Sequence, residues 1–280
     1  MLIADSVTVN GRHEELVPPT SLSVGRGDVL LVVADPQISR TALALALSGR
    51  MQPSTGTVAW GHTDSLKFLR HHSALLDSPE VNEPEAHMKV RDLVGEDLAL
   101  IPGPIWRKPR AKKWMEEHGF TDVATHWADA IDPARLLHLQ LSLAAENPKL
   151  ELLVLDSPDR HDMHDEQWMD LLADFASSPR EFAVVAIVSN VPYDWDGPVS
   201  YLGSMTQDPV LATIPEIEPL LDEEIDEDTT EEANEEFVQE ELDLDLPEPE
   251  LPEEDLPEEE HPVVLAEDEN AAEGSEAKEN

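Results

Sequence analysis

The sequence contains no cysteine, which excludes disulfides and thiolate metal sites and suits a reducing cytoplasm. Positive charge is scarce: 18 Lys and Arg stand against 61 Asp and Glu, for a formal charge of −43. Nucleic acid is therefore excluded as a partner class, because phosphate binding needs clustered basic side chains. Long apolar runs are missing as well. The longest reach about seven to ten residues, short of the roughly 20 that a spanning helix needs. The start, MLIADSVTVNGRHEE, shows no basic segment followed by an apolar core, so no signal peptide is expected there.

The acidity is concentrated at one end. Residues 211–280 hold 30 of the acidic side chains and one basic residue, Lys278. From 213 onward the chain has a Pro-Glu-Leu near-repeat and few aromatics, a composition expected to stay disordered because it buries too little apolar area to offset ordering. Residues 1–210, with 31 acidic and 17 basic residues, are apolar enough for a core. The length of 280 residues suits one substantial domain plus extra sequence, or two small domains.

Residues 2–9 and 21–24 alternate like half-buried strands, and "GRGD" at 25–28 reads as a turn. "VLLVVA" at 29–34, "ELLVLD" at 151–156 and "FAVVAIVSN" at 182–190 are continuous apolar runs, as strands covered on both faces require. "RTALALALSGR" at 40–50 is helical, and Gly49 lies where that helix should stop. Residues 51–61 read as a turn and a strand, and "EQWMDLLADFAS" at 166–177 as a helix. Helical spacing also runs through "VRDLVGEDLALI", "RAKKWMEEHGF" and "ARLLHLQLSLAAEN" within 80–147. A closing pair of short strands is expected over 199–212. Buried strands separated by helices indicate an α/β fold with a mostly parallel sheet.

In this order, residues 1–212 resemble the nucleotide-binding domains of the ATP-binding cassette family. The stretch "SLSVGRGDVLLVVADPQISRTALALALSGRMQPSTGTVAWG" is similar to that family's strand, phosphate loop, helix and following strand. "HSALLDSP" stands where the family has its glutamine loop, and 80–147 where it inserts a helical subdomain. "NPKLELLVLDSPDRHD" resembles the segment ending in the metal-associated aspartate, and "VVAIVSN" the last core strand. The resemblance implies a P-loop NTPase-like sheet over 1–212 with an inserted helical subdomain at about 80–147, followed by an acidic tail at 213–280.

The chemistry that the resemblance implies is eroded. The phosphate loop G-x-x-x-x-G-K-[ST] falls on "ADPQISRT" at 34–41. Ala34, Gln37 and Ser39 stand where the family has glycine, which that loop needs for positive φ and for consecutive N–H groups facing phosphate. Asp35 adds negative charge there, and Arg40 replaces the lysine with a wider planar fork. Thr41 keeps the hydroxyl and Asp156 the carboxylate that would hold Mg²⁺. If Mg-ATP binds at all, Ser39, Arg40, Thr41 and Asp156 are the residues that would meet it. Ser157 replaces the general-base glutamate and cannot act as a base near neutral pH. Asn190 replaces the histidine facing the γ-phosphate, and Asp77 the metal-contacting glutamine. Counting back from Pro148 puts the signature sequence on "AIDPA" at 130–134, without its glycines, where Asp132 and Pro133 are expected to disturb a helix start aimed at phosphate. The first aromatic is Trp60, so no adenine-stacking ring is expected near Asn10.

Two further clusters stand out. "WRKPRAKKW" gathers Arg107, Lys108, Arg110, Lys112 and Lys113, read as a solvated helix face or as contacts to lipid headgroups, a membrane subunit or, in cis, the acidic tail. His161 and His164, spaced i, i+3 beside Asp162 and Asp165, suggest a metal site less than a polar loop, since no further ligand can be placed. The expected function is a non-hydrolysing cassette subunit, cytoplasmic and held at the membrane through an integral membrane subunit or a second cassette. The alternatives are a weakly active ATP-binding subunit completed by a partner, and a different P-loop protein such as a small kinase.

Overall fold

The computed structural model describes residues 1–103 and 108–211. The acidic tail and Arg107 therefore lie outside the described residues. Two sheets organise the rest. Strands β1 (Leu2–Asn10), β2 (Glu15–Val24) and β4 (Thr55–Trp60) form an antiparallel sheet in the order β2-β1-β4. The second sheet has the order β5-β6-β7-β3-β8-β9, with β3 at Val29–Val33, β5 at Ser73–Leu76, β6 at Leu152–Asp156, β7 at Ala183–Val188, β8 at Pro198–Tyr201 and β9 at Val210–Leu211. Its pairings are parallel except for β8 with β9.

The continuous apolar runs follow from coverage on both faces. Leu30, Val32, Val154, Val185 and Ile187 pack on one side against helix α1 (Gln37–Leu47), which is itself covered by the antiparallel sheet. Leu31, Leu153, Leu155, Val184 and Ala186 pack on the other side against α5 (Pro133–Ala145) and α6 (Asp165–Ala176). Alternate residues of each strand thus serve opposite layers, and the strand interiors are apolar, with Asp156 standing only at the end of β6. A third cluster, around Trp114 and Phe120, joins α3 (Val90–Leu100) and α4 (Ala111–His118) to α5. Helix α5 links the two helical layers: Leu137 and Leu141 face the sheet, whereas Leu139 and Leu143 face α3 and α4.

Four elements differ from the sequence expectation. Strand β2 begins at Glu15 rather than 21; Pro18 and Pro19 mask its pattern, and an edge strand tolerates them. Helix α2 (Leu66–His72) and strand β5 are too short to carry a clear period. Helix α1 begins at Gln37, three residues before the expected start. It does stop at Gly49, whose φ of +69° is paired with a backbone approach that leaves a Cβ only 2.8 Å from the Leu66 carbonyl oxygen.

Candidate functional site

Because β3, β5, β6 and β7 run parallel, the segments that follow them emerge at one edge of the sheet. That edge is where open α/β sheets bind ligands. It brings together Ala34–Arg40, Asp77 and Ser78, Asp156 and Ser157, and Ser189 and Asn190.

The connection from β3 to α1 is short: Ala34, Asp35 and Pro36. No residue from 34 to 41 has positive φ. The Pro36 carbonyl accepts from the N–H groups of Ser39 (2.9 Å) and Arg40 (3.2 Å), so these amides start the helix instead of facing an anion. With Gln37 and Ser39 in place of glycine, helical backbone propagates back to residue 37.

The carboxylate of Asp156 is fully buried at the end of β6. Its Oδ2 accepts from Thr41 Oγ1 at 2.7 Å and from Ser78 Oγ at 2.7 Å. Its Oδ1 accepts from Gln37 Nε2 at 3.0 Å and lies 3.0 Å from Ser157 Oγ. Arg40 closes the network from above. Its Nη2 donates to Gln37 Oε1 at 2.7 Å, its Nε to Ser157 Oγ at 2.9 Å, and its Nη1 to the Ala34 carbonyl at 3.0 Å and to Asp35 Oδ1 at 3.3 Å. The guanidinium is thus turned inward, with only 12% of the side chain exposed. Ser157 adopts φ +60°, a left-handed conformation that a side chain tolerates at a cost of order 1 kcal/mol. In return, its hydroxyl sits between Arg40, Gln37 and Asp156.

Asp77 is also committed. Its Oδ1 accepts from Arg160 Nη2 at 3.0 Å, and His161 Nε2 contacts its Oδ2; Arg160 continues to Glu83 at 3.1 Å. Asn190 is exposed and donates to Ser189 Oγ at 3.2 Å. The Ser189 N–H donates to Asp159 Oδ2 at 2.8 Å, while Asp159 Oδ1 is buried without a partner among the described residues. Trp60 is buried, with its Nε1 donating to Glu151 at 2.7 Å, and Asn10 is exposed at the end of β1.

Asp132 and Pro133 build a helix start where the sequence suggested a disturbed one. Asp132 caps α5 by accepting from the Arg135 N–H at 3.0 Å, and Pro133 occupies the first turn. The capping carboxylate then takes the place that an anion would need. Of the basic cluster, Arg110 precedes α4 and Lys108 Nζ donates to the Ala99 carbonyl. Lys112 and Lys113 form exposed i, i+4 pairs with Glu116 (3.9 Å) and Glu117 (3.4 Å). Such pairs contribute only about 0.3–0.5 kcal/mol each. His164 lies just before α6, apart from the contact that His161 makes with Asp77, and no metal-ligand cluster occurs among the described residues.

Sequence reasoning missed two members of the network. Gln37 figured only as a lost glycine, yet its amide bridges Arg40 and Asp156. Ser78 drew no notice beside Asp77, although it is the neighbour that reaches Asp156. Its signal was position alone: it follows the β5 edge strand by two residues.

Away from this site, the titration of Asp97 is strongly perturbed. Burial, with the neighbouring Glu96 charge, pushes Asp97 on α3 from 3.8 up to about 6. The folded chain therefore holds this proton more tightly than the unfolded chain, and ionisation costs stability as pH rises from about 4 to 6. Asp97→Asn removes that cost. Urea denaturation should find the variant about 1–2 kcal/mol more stable near pH 7.5, after discounting for partial exposure, and equal to the parent near pH 3.5.

No protein-family model matches the sequence. A protein of Salmonella paratyphi A, named as a 2-aminoethylphosphonate import ATP-binding protein, is 24% identical over 172 residues, covering 59% of this chain and 47% of its own length. The chain thus spans about half the length of the curated relatives it matches. Among solved structures, a dimeric ATP-binding cassette bound to ADP and phosphate superposes with a TM-score of 0.56 at 15% identity, over 76% of this chain and 99% of that one. The chain has the ATP-binding cassette fold. A cassette from a Clostridium perfringens ABC transporter complex aligns similarly, with a TM-score of 0.53 at 12% identity over 75% of this chain and 86% of its own. Within this fold, the sheet edge described above is the one that carries the hydrogen-bonded network around Asp156.

Proposed function

We propose that this chain is a cassette-type subunit that acts by docking, on an integral membrane subunit, a second cassette or both, and does not hydrolyse ATP itself. The observation that carries this reading is the saturation of Asp156 by the chain's own side chains. The residues present do not fit a Mg-nucleotide. Thr41 and Asp156 hold each other at 2.7 Å, Arg40 is engaged inward, and the exposed Asp35 carboxylate stands where phosphate would enter. Ser157 offers no base and Asn190 takes up no proton. The relatives, named as import ATP-binding proteins, and the dimeric cassette neighbours supply the partner classes.

In this reading residues 1–212 are the cassette body, about 80–147 its helical subdomain, and 213–280 a tether or binding segment. The protein is cytoplasmic and peripheral to the membrane through its partner, with the Lys108–Lys113 side of α4 as a candidate contact. No helix among the described residues is long and apolar enough to cross a membrane. A second reading, a weak ATP-binding subunit completed by a partner, draws on the surviving Thr41–Asp156 pair. Copurification from membranes at low and high salt, with and without 213–280, tests the docking reading. An integral membrane protein or an intact cassette is expected in the eluate; recovering neither under any condition refutes it.

A further inference from the structure

A cavity of about 660 Å³ opens between α2, α3, α5 and the edge strand β5. Half of its lining residues are polar or charged, and the charges are sorted by sign. Arg50, just after α1, stands with Arg70 and His71 of α2 on one wall. Glu96 and Asp97 of α3, with Glu85 before that helix, make a second wall. Leu75 of β5, Leu93 of α3 and Leu143 of α5 add apolar surface. A volume of this size suits a small organic molecule.

Like charges lie side by side on each wall. Burial, and then the Arg70 charge, lower the pKa of Arg50. Burial, and then the Glu96 charge, raise that of Asp97 to about 6. The perturbing neighbour comes from the same wall in both cases, and among the described residues no ion pair joins one wall to the other. The remaining lining carboxylates, Asp77 and Glu83, are already held by Arg160 at 3.0 and 3.1 Å. Arg50 donates to the Ser48 carbonyl and Ser73 Oγ, but to no carboxylate. Arg70 Nε donates to the Gly49 carbonyl at 3.0 Å, which leaves both of its Nη groups open. The side chains of Glu85, Glu96 and Asp97 have no hydrogen-bond partner among the described residues. Two walls of opposite sign thus face one space without satisfying each other. A single molecule complements both when it carries an anion at one end, a cation at the other and an apolar body against the leucines.

We propose that this cavity binds a small zwitterion with an apolar body, the chemistry of a short apolar peptide with free termini, its carboxylate on Arg50 and Arg70 and its ammonium on Glu96 and Asp97. The site is separate from the Asp156 network and does not depend on the proposed docking function. Isothermal titration of the full chain at about pH 7.5, where Asp97 is ionised, tests it with four probes: the dipeptide Leu-Leu, its N-acetyl form, its C-terminal amide and the doubly capped form. One saturable site for Leu-Leu is expected, with each single cap weakening it roughly tenfold and the double cap abolishing saturable binding. Glu96→Gln combined with Asp97→Asn should erase the preference for a free amine and keep that for a free carboxylate. Arg70→Gln should do the reverse, and Arg70→Lys should restore the carboxylate preference. Glu96 is exposed and makes no side-chain contact that folding depends on, so the acidic-wall variant remains informative even if Arg70→Gln proves unstable. No saturable binding of Leu-Leu, equal affinity for the four probes, or an acidic-wall variant that still prefers the free amine would each overturn the proposal.

Discussion

Asp156→Ala lowers the unfolding free energy by about 3–5 kcal/mol in the absence of any nucleotide, as read from urea denaturation. The size follows from what the residue holds. Its two oxygens meet four side chains, from α1, the segment after β5 and its own turn. All lie in a region where the carboxylate has no contact with water. Removing it leaves the Thr41 and Ser78 hydroxyls and the Gln37 amide without their acceptor, and leaves the Arg40 guanidinium buried above a hole. Each orphaned donor costs about 1–3 kcal/mol, partly recovered by relaxation or an entering water. Asp156→Asn keeps one acceptor and should lose less, about 1–2 kcal/mol. A loss below about 1 kcal/mol for the alanine variant would mean that the network is not what holds this edge together.

Phosphate release from Mg-ATP stays at the enzyme-free background for the full chain, and Ser157→Glu alone does not raise it. A positioned general base contributes about 10²–10⁴-fold, but only where an attacking water and a γ-phosphate are already placed. Here the position after Asp156 faces Arg40 and Gln37 rather than open space. A glutamate at 157 would be drawn into an ion pair with Arg40 and lose its role as a base. Turnover above about 0.1 s⁻¹ per chain, against 1–10³ s⁻¹ for typical enzymes, would contradict this account.

Much of the fold was legible because its core strands are covered on both faces. "VLLVVA", "ELLVLD" and "AVVAIV" can hardly be anything but central parallel strands, and the helices between them set the crossovers. Short peripheral elements were harder to read. Strand β5 has four residues and β2 carries two prolines, so neither shows a clean alternation. The site was legible by position and not by geometry. The run "ADPQISRT" announces lost glycines, and from that a reshaped loop follows. That the loop shortens, that α1 extends back to Gln37, and that Arg40 turns inward are outcomes of hydrogen-bond competition among side chains 37 to 157 in sequence, which no local pattern encodes. The same holds for Asp132, whose charge argued against a helix start until its capping bond to Arg135 was seen.

The central claim is that the place of the nucleotide is filled by the chain's own side chains. Equilibrium titration of Mg-ATP into the full chain, read by calorimetry and by melting temperature, tests it most directly. The account predicts no saturable heat up to about 1 mM and an unchanged melting temperature, whereas a ligand at 100 times its Kd would add about 2.7 kcal/mol. Saturable micromolar binding that raises the melting temperature and is lost in Thr41→Ala would contradict it.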